Sequence, residues 1–225
     1  MMATPADIED FAVGFSLTEG VIDHPYQIEE LQVLEVADGI EARIWLAPDR
    51  AAASTARRRR LAGPTGCGLC GIDSLAEAVR PPRSVTGTLV VTPAMIFAAR
   101  SAMDSALPLG RATRAVHAAA LWHPVHGLLA VREDVGRHNA LDKLVGAATR
   151  HGFDATTCVL LLSSRVSIEM VQKACVLGAP VVVAMSAPTA HAARLADKAG
   201  LTLVAVARAD GFEVVTGAGR VSEDF

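Results

Sequence analysis

Apolar positions along the chain change period in a way that divides it. After Thr4-Pro5, with Asp7 and Glu9 placed where a helix start favours negative charge, Ile8, Phe11, Ala12 and Phe15 share one helical face, and Gly20 closes the segment. The spacing then drops to two. Ile40, Ala42, Ile44 and Leu46 lie on one face of a run that is joined to residues 31–36 through Ala37-Asp38-Gly39, which predicts a hairpin. The first sixty residues therefore read as a small α+β unit. Between residues 48 and 66 the composition shifts to Ala, Arg, Gly and Pro, and Pro81-Pro82 makes a second break. Ser74-Leu75-Ala76-Glu77 between them has the form of a capping box.

Beyond this point strands and helices alternate. We expect strands at 85–91, 113–122 and 128–133, with helices at 93–106 and 137–150. The most regular stretch is last: strand 158–162, helix 166–177, strand 181–184, helix 188–199 and strand 201–206. Short β-branched runs between amphipathic helices predict an α/β domain, a parallel sheet covered on both faces. The expected organisation is a small domain over 1–62, a loop over 63–75 and an α/β domain over 76–225. In such a sheet ligands sit beyond the carboxyl ends of the strands, which gathers Ser163-Ser164-Arg165, Ser186 with Thr189, and Arg208 on one edge.

Composition narrows the functions open to such a domain. A net charge of −3 and 4% aromatics speak against a general nucleic-acid binder, which needs a basic excess or stacking platforms. The mean hydropathy of +0.34 raises the question of a membrane. The long uncharged stretches 115–131 and 174–190 are interrupted by His117, His123 and Pro124, and by Gly178, Pro180 and Pro188, so neither reads as a span. The opening residues carry neither a basic nor an apolar leader region, and four cysteines do not make a disulfide scaffold. The chain reads as cytoplasmic, where a close cysteine pair points to metal or redox chemistry.

That pair is Cys67 and Cys70 in Gly66-Cys67-Gly68-Leu69-Cys70-Gly71. A thiol with a pKa of ~8.5 is only slightly ionised at neutral pH, and nearby cations such as Arg57 to Arg60 raise the thiolate fraction. A zinc site would need further ligands at matching spacing, and a thioredoxin-like site would follow a strand and open a helix directly. A sulfur carrier on an exposed loop fits the glycine spacing best. Cys158 and Cys175 sit in apolar runs and read as core. A second feature, Glu133-Asp134-Val135-Gly136-Arg137-His138-Asn139 with Asp142-Lys143, is a strand-to-helix turn whose helix start and Arg favour an anion. Ser164, Arg165, Ser167 and Glu169 repeat the scheme, and Ser186 with Thr189 adds hydroxyls, which together suit a phosphorylated ligand. His117, in an alternating run, reads as a core histidine.

Taken in order, these segments resemble the FdhD (FdhD/NarQ) family of formate dehydrogenase accessory sulfurtransferases. The resemblance rests on Thr4-Pro5 through Gly14-Phe15, Glu19-Gly20, the Cys67 to Cys70 loop, Glu133 to Ala140 with Asp142-Lys143, Ser164-Arg165 with Ser167 and Glu169, and Ser186 to Thr189. It implies a cytidine-deaminase-like three-layer α/β/α domain preceded by a small α+β domain, and a homodimer. It also implies a persulfide received from a cysteine desulfurase on Cys67, with Cys70 as a second relay. The sulfur would pass to the molybdenum or tungsten bis-guanine-dinucleotide cofactor of formate dehydrogenase. The cofactor would be held by Val206, Ala207, Arg208, Ala209, Asp210 and Gly211, with Arg137, His138, Ser164, Arg165, Ser186 and Thr189 on the same edge. Neither H-x-E nor P-C-x-x-C occurs, so zinc deaminase chemistry is not expected, nor is a structural metal. Departures are local: Ala205-Val206 stands where the family has Gly-Phe, and Ser163-Ser164-Arg165 where it has Ser-Gly-Arg. A cofactor escort that moves no sulfur and a general thiol oxidoreductase are the competing functions.

Overall fold

The computed structural model describes residues 1–48, 50 and 82–222. The Cys67 and Cys70 loop, the four-arginine run, the Ser74 capping box and the boundary expected over 63–75 lie outside the described residues. Helix α1 (Ile8–Thr18) is followed by a two-stranded antiparallel hairpin of β1 (Ile28–Val36) and β2 (Gly39–Leu46). Then come α2 (Pro93–Ser105), α3 (Pro108–Thr113), β3 (His117–His123), β4 (Gly127–Asp134) and α4 (Arg137–His151). The chain ends with β5 (Val159–Leu162), α5 (Ile168–Leu177), β6 (Val181–Ala184), α6 (Ala190–Lys198), β7 (Thr202–Ala205) and β8 (Glu213–Thr216). Strands β3 to β8 form one sheet in the order β4-β3-β5-β6-β7-β8.

The sheet is mixed, which corrects the parallel sheet expected from the alternation. Only β5, β6 and β7 run parallel, joined by α5 and α6, while β3, β4 and β8 are antiparallel to their neighbours. The hairpin turn at Pro124 to Gly127 forces β3 against β4. Side chains alternate as the pleat requires: Leu160, Leu162, Val182 and Leu203 join a core with α1, α4, α5 and α6. Leu161, Val183, Val204 and Trp122 join one with α2. Helices therefore cover both faces.

Three local expectations change. Residues 82–90 form no strand; Val91 makes only an isolated bridge to Val221, and Val85 and Val91 are buried beside the sheet without extending it while Val90 is exposed. Residues 108–113 are helical, and the strand begins only at His117. The cause is distant: Glu133 of β4 accepts hydrogen bonds from the free Leu109 and Gly110 amides (3.0 and 2.6 Å), capping α3. Helix α1 starts at Ile8, later than Thr4-Pro5 suggested, because Thr4 is engaged with Asp134 and Lys143.

Helix α1 packs directly on α4. The two backbones meet at a pair of glycines: a Cβ on Gly14 would collide with the Asp142 carbonyl, and one on Gly146 with the Asp10 carbonyl. At the same crossing buried Asp10 accepts from Arg132 (2.7 Å) and pairs with Arg150, which also reaches Glu9. Among the described residues, no helix is long and apolar enough to cross a membrane.

Candidate functional site

The strand directions bring five chain segments to one edge. Strands β5, β6 and β7 end there, at Leu162, Ala184 and Ala205. Strand β3, antiparallel to β5, starts there at His117, and β4 ends there at Asp134 and turns into α4. Backbone hydrogen bonds lace the loops that follow: Met185 N donates to Leu162 O, Thr189 N to Val166 O, Ala207 N to Ala184 O, and Val206 N to Ser186 O. Ser163, Ser164, Arg165, Ser186, Thr189 and residues 206–211 thus lie along one edge of the sheet, with Ser164 and Ala207 buried, and Arg137 and His138 stand beside it.

Not every polar residue of this edge is available to a ligand. Asp134 and Lys143 form a fully buried ion pair at 2.6 Å. Asp134 also accepts from the amides of Thr4 and Gly136 and from the Asn139 side chain, while Asn139 donates to Met2 O and Lys143 to Thr4 O. These residues fasten the amino-terminal segment to the start of α4. Next to them Lys173 of α5 donates to both Asp142 oxygens, to Thr18 and to Glu19. Burial alone would push the Lys173 pKa down, but Asp142 and Glu19 together hold it above its ordinary value, so the ammonium stays charged. Ser163 Oγ accepts from Ala118 N, buried Ser164 donates to the Arg165 carbonyl, and Thr189 Oγ1 caps α6 by accepting from Ala192 N.

What remains is a smaller group. Among the described residues, Arg137 Nε, His138 Nε2 and Ser167 Oγ are buried atoms without a hydrogen-bond partner. Arg165 is exposed and forms no ion pair among the described residues; the pair with Glu169 that its spacing allows is not made. His117 is half-buried at the start of β3, and its pKa is lowered first by burial and then by the Arg137 and Arg165 guanidiniums. His138 is pushed down to about 4, mainly by burial and then by Arg137. Both imidazoles are therefore neutral at pH 7. His117, which read as core, belongs to this group, and only the pairing of β3 with β5 reveals it.

On the other side of the edge Val206 adopts a φ of 50°, a left-handed backbone conformation that a β-branched residue rarely takes. Arg208 N donates to Gly211 O, closing the following turn, and Arg208, Ala209 and Asp210 are exposed there. Strain of this kind persists where surrounding contacts impose it and concentrates at ligand clamps.

The FdhD/NarQ family model matches residues 1–222. The chain belongs to the FdhD/NarQ family. A relative from Agrobacterium fabrum named "Sulfur carrier protein FdhD" is 51% identical over 222 residues, covering 98% of this chain and 82% of its own length. Relatives of the same name from Brucella abortus and Xanthomonas campestris are 49% and 46% identical over 99% and 92% of this chain, and 83% and 74% of their own lengths. A solved structure of a candidate formate dehydrogenase accessory protein from Desulfotalea psychrophila matches with a TM-score of 0.76. It is 23% identical, over 98% of this chain and 82% of that one, and shows that the fold is shared. Family membership gives context to residues whose sequence alone suggested a ligand. In this member Glu133, Asp134, Asn139, Asp142 and Lys143 bind other parts of the chain, whereas Arg137 and His138 leave polar atoms unpaired. Among the described residues, no group of three or more His, Cys, Asp or Glu could hold a metal ion.

Proposed function

We propose that this chain is a sulfur carrier serving formate dehydrogenase. In this reading Cys67 takes sulfur from the persulfide of a cysteine desulfurase. Its thiolate attacks the outer sulfur, the desulfurase cysteine leaves as a thiolate, and Cys67 becomes the persulfide. The outer sulfur then passes to a molybdenum or tungsten bis-guanine-dinucleotide cofactor, the substrate of the reaction, held on the strand-end edge: the S–S bond breaks, Cys67 leaves as a thiolate, and the two electrons that reduce the transferred sulfur to sulfide come from the metal of that substrate. Cys70 serves as a relay, and the working unit is a cytoplasmic homodimer.

The observation that supports the reading most is the name, sulfur carrier protein, borne by relatives about half identical over nearly the whole chain. The described cysteines support it by contrast. Cys158 and Cys175 are both in the core, and burial pushes their thiols up, Cys175 to about 11. Neither is a nucleophile at neutral pH, which leaves Cys67 and Cys70 to carry sulfur. The edge supports the acceptor half, since its donors and guanidiniums suit a diphosphate.

Intact mass spectrometry after incubation with a cysteine desulfurase and cysteine tests the reading. A reducible gain of one sulfur atom, absent in Cys67→Ala and present in Cys70→Ala, is expected. No adduct together with retained GDP binding would make the protein an escort that moves no sulfur. An internal Cys67–Cys70 disulfide that turns over with thiols would make it an oxidoreductase.

A further inference from the structure

Strands β1 and β2 pair in a register that sets Leu31 opposite Ile44, Val33 opposite Ala42 and Glu35 opposite Ile40, and residues opposite one another share a face. At the base of the hairpin this face is covered, because Ile28, Leu31 and Leu46 pack on the core shared with α1, α4, α5 and α6. Toward the turn the same face is bare. Val33 and Ile40 are each 37% exposed, Ala42 is exposed and Ile44 is half-buried. Single exposed apolar side chains are ordinary, but these are contiguous on one face of a two-stranded sheet that runs past the core.

The hairpin is also acidic. Residues 28–46 hold Glu29, Glu30, Glu35, Asp38 and Glu41, all exposed, against Arg43, and Arg43 is bonded to Glu41 (2.9 Å). The whole chain carries a net charge of −3, so its negative excess is concentrated here. Two copies meeting through this face would set like charges against each other, which disfavours a second copy as the occupant. An apolar face rimmed by carboxylates suits a different protein, one whose own docking face is apolar and rimmed by Lys and Arg.

The place of the hairpin narrows the choice of partner. Ala47 N, just past β2, donates to Gln27 O, just before β1, and the Gln27 side chain accepts from the Asp23 and His24 amides. Asp23 in turn pairs with Arg50 and, at 4.0 Å, with Arg83. Arg50 and Arg83 flank the stretch of sequence that carries Cys67 and Cys70, and they meet at one carboxylate beside the base of the hairpin. In the functional reading above the acceptor cofactor occupies the strand-end edge, and the sulfur donor is a protein that comes to Cys67. We propose that the apolar, acidic face of the β1–β2 hairpin is the docking surface for the cysteine desulfurase. The inference deepens that reading and rests on it for the identity of the donor.

Rates of persulfide loading on the full chain from two sulfur sources test the surface. One source is a cysteine desulfurase with cysteine. The other is inorganic polysulfide, from which the Cys67 thiolate takes one sulfur while a polysulfide one sulfur shorter leaves. Val33→Ser combined with Ile40→Ser should raise the desulfurase concentration needed for half-maximal loading by about ten-fold or more and leave loading from polysulfide unchanged. Glu29→Lys combined with Glu35→Lys should act in the same direction, and the wild-type half-maximal concentration should rise with salt. All four positions are exposed, so the substitutions spare the fold. Desulfurase loading that neither pair of substitutions changes overturns the docking surface. Wild-type protein that loads from polysulfide but not from the desulfurase overturns the desulfurase as its occupant, and loading from neither source overturns the sulfur-carrier reading itself. A wild-type dimer that Val33→Ser with Ile40→Ser splits into monomers overturns the inference in favour of a second copy.

Discussion

Two sets of polar residues share the stretch from Glu133 to Lys143 and have opposite fates. Asp134, Asn139, Asp142 and Lys143 are buried with several partners each, reaching across the fold to Met2, Thr4, Thr18 and Lys173. Arg137 and His138, in the same first turn of α4, keep buried nitrogens without a hydrogen-bond partner among the described residues. The first set holds the molecule together, and the second leaves hydrogen-bonding capacity unused. A dense polar motif is thus no index of contact with a ligand, because buried charges are retained only when paired, and pairing uses them up.

The strongest way to break this division is to attack the buried set. Lys143→Met leaves the Asp134 carboxylate unpaired with no exposure to water, which should cost about 3–5 kcal/mol. A urea melt should show a large loss of stability, and adding Asp134→Asn should restore part of it. An unchanged melt would mean that this pair does not fasten the amino-terminal segment.

A change at the helix crossing comes next. Gly146→Ala drives a methyl group into the Asp10 carbonyl, where the obstacle is backbone and cannot swing away. The expected loss is about 1–3 kcal/mol, visible in a thermal melt, as for overpacking elsewhere.

His138 tests the second set. Its folded pKa of about 4 lies below the ~6.5 of an unfolded histidine. Between these values the unfolded chain binds the proton and the native one does not. Stability is therefore complete above pH 6.5 and falls as the pH drops through the window, by on the order of 1–3 kcal/mol at its lower end. His138→Asn should flatten that part of the stability profile. An equal slope in wild type and variant would remove His138 as its source.

Arg165 should affect stability least. With no ion pair among the described residues to lose, Arg165→Ala should leave the Tm nearly unchanged while weakening GDP binding. A lost charge-assisted contact is worth about 1.5–3 kcal/mol, roughly ten- to hundred-fold in affinity. A lower Tm with unchanged GDP affinity would move Arg165 into the structural set.

How far the sequence could be read depended on how local each cause was. The run from β5 to β7 was legible because short apolar β-branched strands and amphipathic helices declare themselves within a few residues. The sheet direction at β3 was not, since it follows from pairing with β4 and β5 and not from alternation. Helix α3 was hidden because its cap, Glu133, lies more than twenty positions away. His117 carries no local mark that separates a core histidine from one facing two guanidiniums.

By itself, then, the sequence determined the succession of elements, the strand-end edge where the polar loops gather, and the two thiols that stand apart from the apolar runs. Those features follow from side-chain periodicity and backbone preference, which act over a turn of helix or a pair of strand residues. Only the tertiary structure decided which polar residues of the edge are spent on the fold and which keep polar atoms without a partner among the described residues. Hydrogen-bond partners are chosen in space: Thr4 meets Asp134, and Lys173 meets Glu19, across more than a hundred residues of chain.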